Sequence, residues 1–186
     1  GLAALYVMIG HAYVAIRGQV DPFIGGAELK LLKLIDAGHF AVAIFIVLSG
    51  YVLMLPIARS AGFALRGGWR EYIKRRARRI MPPYFAALVL SLALILLFPA
   101  IARPGDLTWQ AILSHALLVH NLHPDTMLAI NGPMWSVAFE WQIYFFLPFL
   151  LLPALRRFGP FAMLAAGFAA GLLPFFLLPE GYNLAW

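Results

Sequence analysis

One histidine interrupts the apolar stretch with which the sequence opens. His11 is the only side chain in GLAALYVMIGHAYVAI that titrates near neutral pH. A titratable group at that depth in lipid is costly, and it is retained where it has a partner or a task. A neutral imidazole can take a proton from a hydroxyl group or pass protons along a relay, so His11 is the first candidate for chemistry.

A polar stripe marks a later apolar segment, NGPMWSVAFEWQIYFFLP at residues 131–148. Ser136, Glu140 and Tyr144 recur every four residues, which places them on one face of a helix. Because a carboxyl group is expensive in lipid, this face is predicted to turn toward the interior of a helical bundle. Pro148 predicts a kink. A catalytic carboxylate and a structural one, protonated or paired with an arginine, stay equally open at this point.

Eight basic side chains crowd the segment 59–79 against one carboxylate, Glu71. They are Arg59, Arg66, Arg70, Lys74, Arg75, Arg76, Arg78 and Arg79. Helical periodicity from Trp69 onward places Arg76 within an apolar stripe, with Arg79 beside it. Binding to anionic lipids accounts for most of these charges. An arginine on a buried face needs an anion or a carboxylate there, and the phosphates of a ligand such as coenzyme A would suit this pair.

Two further motifs favour structural roles. Ser49 precedes a glycine in the middle of GHFAVAIFIVLSGYVL; it lacks the setting of a hydrolase nucleophile, and close helix packing is the favoured use of the small pair. His115, His120 and His123, near Asp125, have the spacing H-x4-H-x2-H, which places only the last two on one helical face. We expect interfacial histidines here and no metal site.

Composition identifies the environment of these motifs. Of the 186 residues, 63% are hydrophobic and only 12% are charged, and the mean hydropathy is +0.85. Because soluble domains are about 25% charged, an integral membrane protein is predicted. The sequence has no cysteine, which excludes an acyl-cysteine intermediate and thiolate metal sites. The net charge of +6 resides mostly in one loop between spans, which argues against nucleic acid as a partner.

The predicted fold is an all-α, polytopic transmembrane helical bundle. It has about five spans, near residues 1–16, 39–58, 83–101, 134–155 and 161–178, plus one short amphipathic or re-entrant segment at 107–123. The positive-inside rule places the basic segment 59–79 and the N-terminal end in the cytoplasm. At a rise of 1.5 Å per residue, His11 lies near the midplane and Glu140 lies about 9 Å below the outer surface.

Four stretches, in order, resemble the membrane acyltransferase-3 family of O-acyltransferases. They are GLAALYVMIGH, VAIFIVLSGYVL, RRARRIMPPY and WSVAFEWQIYFFLP, and they extend from Gly1 to about Pro153. The third resembles the family's Arg-x-x-Arg-Ile-x-Pro loop, and the fourth its Trp-Ser-x-x-x-Glu-x-x-x-Tyr signature. The family's first-helix arginine would fall one position before Gly1, and Ala43 stands where an acidic residue is often found.

The resemblance implies transfer of an acyl group, usually acetyl, from acyl-CoA to a hydroxyl of a carbohydrate, cell-envelope glycan, lipid or secondary metabolite. His11 and Glu140 would be catalytic, with His11 as general base or covalent acyl carrier. The substrate-binding residues would be Arg76, Arg79, Ser49, Trp135, Ser136 and Tyr144, the two arginines holding the CoA phosphates on the cytoplasmic side. No bound cofactor and no metal are expected.

The family's usual length implies that residues 1–186 are the N-terminal part of one transmembrane domain, truncated at both ends. Its partners would be the bilayer, the acyl-CoA donor, the hydroxyl acceptor and further C-terminal spans. The expected location is the plasma (inner) membrane. A proton-coupled transporter, with His11 and Glu140 as its relay, is the alternative function.

Overall fold

The structure, a computed structural model, describes residues 5–10, 12, 13 and 38–177. These residues form helices and turns with no strand among them, which confirms the predicted all-α fold. Two described helices are long and apolar enough to cross a membrane, Gly68–Leu97 and Gly132–Phe158. The predicted number of five spans is therefore not confirmed. The chain divides into two compact units, 1–56 and 57–185, and each is described by itself.

The first unit contains helical residues at 5–10 and 12–13 and most of helix α1, Gly38–Ala58. The bounds of α1 agree with the predicted second span. Ser49 is half-buried on this helix. A Cβ atom placed on Gly50 would meet nothing within 4 Å among the described residues, so the expected close packing is not seen at this glycine.

The second unit begins with a long helix that joins the basic segment to the predicted third span. Helix α2, Gly68–Leu97, is 30 residues long and continues through Pro82 and Pro83. It starts earlier than the predicted span at 83–101, because the amphipathic basic segment and the apolar segment share one helical axis. A 3-10 turn, Pro99–Ile101, follows its end.

A folded segment, residues 102–134, connects α2 to the next long helix; we call it the cap. It contains the short helices α3, Trp109–Ala116, and α4, Pro124–Met127, and 3-10 turns at His120–Leu122 and Gly132–Met134. Thr108 caps α3 by accepting the backbone N–H of Ala111 at 3.3 Å. The apolar run at 107–123 thus folds into separate short pieces, of which α3 is the predicted short helix.

The cap leads directly into the helices that carry the polar stripe. Helix α5, Trp135–Phe146, passes through a π-helical turn, Leu147–Leu151, into α6, Leu152–Phe158. The turn contains Pro148, which has no N–H to donate, so the predicted irregularity takes the form of a widened turn. Gly159 has φ = 87° and reverses the chain into α7, Pro160–Leu177, which packs against α6.

The apolar core of this unit lies between α2, the cap and α5. Its buried members are Tyr84, Leu88, Ile95, Ala111, Leu118, Ala129, Ile130, Met134 and Ala138. Many large apolar side chains elsewhere on α2, α5 and α7 are exposed. This distribution is the one expected of helices that turn an apolar surface toward lipid.

Candidate functional site

The packing of α2 against α5 brings the basic segment and the polar stripe together. The guanidinium carbon Cζ of Arg76 lies 5.7 Å from the ring centroid of Tyr72 and 5.7 Å from that of Tyr144. The two tyrosine rings meet edge to face, with centroids 6.3 Å apart. The hydroxyl of Tyr144 donates to Oε1 of Glu140. These four side chains form one group, which we call the arginine–tyrosine cluster.

The cluster is shielded from solvent and incompletely hydrogen-bonded. Tyr72 and Tyr144 are each 3% exposed, and Arg76 and Glu140 are half-buried. The Nε atom of Arg76 and the hydroxyl of Tyr72 are buried and have no hydrogen-bond partner within the described part of the chain. A buried polar group without a partner costs roughly 1–3 kcal/mol. The two cation–π contacts, each worth about 0.5–2 kcal/mol, offset some of that cost for the arginine but supply no acceptor for Nε.

The chemistry open to this cluster follows from its donors. A guanidinium carries N–H donors and no acceptor, and a tyrosine hydroxyl can donate one more hydrogen bond. Glu140 is the carboxylate of the cluster, and its oxygen Oε1 already accepts from Tyr144. The free donors of Arg76 and Tyr72 therefore match a ligand group rich in oxygen and negative charge, such as a phosphate.

The position of Glu140 corrects one prediction. From the span boundaries we expected Glu140 near the outer surface and Arg76 on the cytoplasmic side. Both instead adjoin Tyr144, so they lie in the same layer of the molecule. The predicted depth of Glu140 assumed that the fourth span begins at the membrane surface. In the structure the folded cap precedes α5, so the first residue of this helix does not mark the surface.

The other predicted site residues have separate settings. Arg79, one turn after Arg76, is exposed. Ser136 donates its hydroxyl to the carbonyl of Pro133 at 3.0 Å and so bonds within its own helix start. Trp135 is half-buried at the beginning of α5. Ser49 belongs to the first unit, and His11 lies outside the described residues.

One member of the cluster escaped sequence reasoning. Helical periodicity in the basic segment puts Tyr72 on an apolar face with Trp69 and Ile80, which suggests a packing role alone. Its ring does lie on that face, but its hydroxyl adjoins the polar stripe of α5. The available signal was the four-residue spacing of Tyr72 and Arg76, which repeats the spacing of Glu140 and Tyr144 and places each pair on one helical face.

A buried carboxylate organises the cap. Asp106 is 2% exposed, and its two oxygens accept the backbone N–H groups of Ile130 and Arg103, each at 2.8 Å. Ile130 has φ = 59°, a left-handed backbone that is costly for a β-branched residue. The carboxylate therefore secures a strained residue shortly before α5 begins at Trp135.

Amide side chains fasten the cap to both long helices. The amide nitrogen of Asn131 donates to the hydroxyl of Ser91 on α2 at 2.9 Å. Asn121 and Gln142 exchange hydrogen bonds of 3.1 and 2.8 Å, and Gln142 also donates to the carbonyl of Leu118 at 3.0 Å. These bonds fix the position of the cap over the end of the polar stripe.

Two histidines of the cap are stacked inside it. His115 and His120 are each 0% exposed, with ring centroids 3.7 Å apart and an interplanar angle of 10°. Tyr84 stacks on His120 at 6.4 Å and donates its hydroxyl to the carbonyl of His115 at 2.8 Å. Nδ1 of His115 lies 2.8 Å from the carbonyl of Ala111. The other three ring nitrogens of the pair are buried and make no hydrogen bond of good geometry among the described residues, although backbone groups of Ala129, Ser114 and Met134 lie near the rings.

This stacking corrects the expectation that these histidines are interfacial. Only His123, with its side chain 66% exposed, lies at the surface as expected. Burial lowers the pKa of His115, although the nearby carboxylate of Asp106 opposes this. Burial, and secondarily the adjacent ring of His115, lower the pKa of His120 to about 4. The pair is therefore neutral at physiological pH.

The stacked geometry also bears on the metal hypothesis. A histidine nitrogen directs its lone pair within the plane of its ring, so two parallel rings in face-to-face contact direct theirs into separate planes. Such a pair does not converge on one ion. Among the described residues, no group of three or more histidine, cysteine or acidic side chains is arranged to hold a metal.

Comparison with known proteins agrees with these motifs. The model of the acyltransferase-3 family, described as an acyltransferase domain, matches residues 1–186. An O-acetyl transferase of Shigella phage Sf6 is 29% identical over 154 residues, which cover 77% of this chain and 41% of the relative. The acyltransferase MdmB of Streptomyces mycarofaciens is 32% identical over 148 residues, 77% of this chain and 36% of the relative. No solved structure matches.

The chain thus spans about two fifths of the length of the curated relatives that it matches. The family match covers all 186 residues, including both segments that form the arginine–tyrosine cluster. It confirms the resemblance drawn from the four sequence stretches. The chain belongs to the acyltransferase-3 family.

Proposed function

We propose that this chain is part of a membrane-bound O-acyltransferase that moves an acetyl group from acyl-CoA to a hydroxyl of an acceptor. The acceptor class is a carbohydrate, a cell-envelope glycan, a lipid or a secondary metabolite. Family membership supports acyl transfer, and one relative is named an O-acetyl transferase. The two long apolar helices support a location in a membrane. That this is the plasma (inner) membrane is part of the proposal, and the positive-inside rule would place the basic segment and the N-terminal end in the cytoplasm.

The observation that carries the proposal is the meeting of the two family motifs at Arg76. Its guanidinium lies between two tyrosine rings, and among the described residues it makes no ion pair. Its Nε is buried without a partner. A guanidinium that is held by aromatic rings and makes no ion pair with a described carboxylate can bind an external anion, and the phosphates of coenzyme A are such anions. Arg79, exposed one turn later, would contact the same phosphates from the surface.

One general base is sufficient for the proposed reaction. The imidazole of His11 takes the proton of the acceptor hydroxyl, whose oxygen attacks the thioester carbonyl. The carbon–sulfur bond breaks, and the leaving CoA thiolate takes up a proton as the ester forms. In the two-step alternative, a ring nitrogen of His11 attacks the thioester carbonyl, a carbon–nitrogen bond forms as the carbon–sulfur bond breaks, and the thiolate takes the proton of the other ring nitrogen. The acceptor oxygen then displaces the imidazole, which takes up the hydroxyl proton as the ester forms. Glu140 accepts a hydrogen bond from Tyr144, and Trp135 and Ser136 at the start of the same helix would contact the acceptor together with further C-terminal spans of the protein.

Substitution of two arginines that differ in setting tests the donor site. Arg76→Gln removes the guanidinium of the cluster, whereas Arg78→Gln removes an exposed one on the same helix. Membranes containing the complete protein would be supplied with labelled acetyl-CoA, and label entering the envelope fraction would be measured. We expect Arg76→Gln to raise the KM for acetyl-CoA at least tenfold and Arg78→Gln to change it less than threefold. Equal effects of the two substitutions would contradict the proposal.

Substitution of the histidine tests the chemical step. His11→Ala is expected to lower kcat by about 10²–10⁴-fold, the range for loss of a general base, with little change in the KM for acetyl-CoA. Near-normal turnover would remove His11 from the mechanism. Substrate movement across the membrane without consumption of acetyl-CoA would favour the transporter alternative.

A further inference from the structure

We infer that Tyr72 is a donor-binding residue, whose hydroxyl donates a hydrogen bond to a phosphoryl oxygen of the CoA donor beside Arg76. The inference rests on the proposed function and adds a residue that none of the motifs includes. The observation behind it is that two buried donors lack an acceptor. The arginine–tyrosine cluster contains two buried donors, the hydroxyl of Tyr72 and Nε of Arg76, and neither has a partner among the described residues.

The two tyrosines of the cluster differ in one respect. Both are 3% exposed and both lie 5.7 Å from the guanidinium carbon of Arg76. The hydroxyl of Tyr144 is satisfied by Glu140, whereas the hydroxyl of Tyr72 has no partner in the described structure. A phenylalanine at position 72 would supply the same ring without the cost of an unpaired hydroxyl. Packing therefore accounts for the ring of Tyr72 but not for its oxygen.

The chemistry of the missing partner follows from its neighbours. Nε of Arg76 can only donate, and the hydroxyl of Tyr72 does not accept from it in this structure. Both groups therefore require an acceptor. One anionic oxygen, or two oxygens of one phosphate, would satisfy both donors, and the positive charge favours the anion further. The position near the start of α2, among exposed arginines, fits a group that arrives from the cytoplasmic side.

Two exposed aromatic rings lie in contact one turn before Tyr72. Trp69 and Phe149 meet edge to face there, with ring centroids 5.2 Å apart, and they remain 46% and 53% exposed. Side chains with that exposure rotate readily, because few neighbours restrict their rotamers. Their rotation would admit a phosphate to the donors of Tyr72 and Arg76.

The test compares a donor that has phosphates with one that has none. Tyr72→Phe would be assayed in membranes of the complete protein with acetyl-CoA and with S-acetylpantetheine, which lacks every phosphate. We expect the KM for acetyl-CoA to rise about tenfold, the effect of losing one charge-assisted hydrogen bond, while kcat stays within twofold. The KM for S-acetylpantetheine is expected to stay the same.

Tyr84→Phe is the matched control. Tyr84 lies on the same helix and is also 3% exposed, but its hydroxyl is satisfied by the carbonyl of His115. Its loss should lower the unfolding temperature and leave both KM values unchanged. A Tyr72→Phe protein with unchanged KM for acetyl-CoA, or with equal changes for both donors, would overturn the inference.

A binding measurement keeps the inference testable if Tyr72→Phe is inactive. Adenosine 3′,5′-bisphosphate, which carries phosphates but no thioester, should raise the unfolding temperature of the unsubstituted protein and raise it less in Tyr72→Phe. An equal rise in both proteins would refute the role of the hydroxyl. The outcomes for the two residues can be told apart. If Arg76→Gln leaves the KM for acetyl-CoA unchanged and Tyr72→Phe raises it, the role assigned to the arginine fails and the role assigned to the tyrosine stands.

Discussion

Acidification should destabilise the cap through its stacked histidines. Both rings of the pair His115–His120 are fully buried, and burial favours their neutral forms. The ordinary pKa of a histidine is 6.5, and the pKa of His120 in the folded protein is about 4. When the pH falls below 6.5, the unfolded chain binds a proton that the folded cap does not bind. The neutral pair therefore makes its full contribution to the free energy of unfolding above pH 6.5, and this contribution decreases as the pH falls toward 4.

The size of the effect follows from the pKa difference. One pKa unit corresponds to about 1.4 kcal/mol, so a difference of about 2.5 units corresponds to about 3 kcal/mol. A pH of 5 lies about 1.5 units below the pKa of histidine in the unfolded chain, so the free energy of unfolding is lower there by about 2 kcal/mol. For a domain of this size, such a loss lowers the unfolding temperature by several degrees.

A comparison of two variants isolates this contribution from that of the carboxylates. His120→Phe keeps a ring stacked on His115 and cannot be protonated, whereas His123→Gln removes an exposed histidine. Unfolding of the detergent-solubilised protein would be followed from pH 7.5 to 5. We expect the unsubstituted protein and His123→Gln to lose about 2 kcal/mol more than His120→Phe. Parallel curves for all three proteins would refute the argument that the buried pair is held neutral.

The structure supports three further predictions. Asp106→Asn places an amide N–H against one of the two backbone N–H donors and should destabilise the protein by about 1–3 kcal/mol, measured as a fall in the unfolding midpoint. An unchanged midpoint would show that the carboxylate does not secure Ile130. Gln142→Leu leaves Asn121 without its partner and should cost about 1–2 kcal/mol in the same measurement; a smaller effect in the double variant with Asn121→Leu than the sum of the single effects would confirm the pairing. Glu140→Gln keeps an acceptor for Tyr144 but removes the charge, so acetyl transfer should fall at least tenfold without loss of folding, and full activity would make Glu140 a structural residue.

Local spacing in the sequence predicted the parts of the site that depend on one helix. The four-residue repeat of Glu140 and Tyr144 correctly placed both side chains on one face, and the Tyr144–Glu140 hydrogen bond follows from that repeat. The placement of Arg76 within an apolar stripe was likewise correct, since its Nε is buried. The contact of that arginine with the ring of Tyr144 was not predicted, because the sequence does not show which residues of α5 lie beside α2.

The cap lay beyond sequence reasoning for a different reason. Residues 107–123 have the composition of a half-span, and nothing in their periodicity shows that a left-handed residue at Leu118 ends the helix. The buried contacts of His120 are to Tyr84 and His115, and only one of these is near it in sequence. The histidines of this segment were predicted to be interfacial because apolar residues flank them in the sequence. In the fold, the apolar residues shield His115 and His120 from solvent.

The hydrogen bonds of the cap have a consequence for the order in which the chain folds. The bonds that tie the cap to the long helices join residues 21, 31 and 40 positions apart. Such short separations close early, because the entropy of loop closure is small. The α2–cap–α5 hairpin can therefore assemble as soon as α5 has left the ribosome. By contrast, Arg156 reaches the carbonyl of Phe63 across 93 residues and can close the basic end only after α6 is complete. We therefore expect the hairpin to form during synthesis before the later helices pack against it.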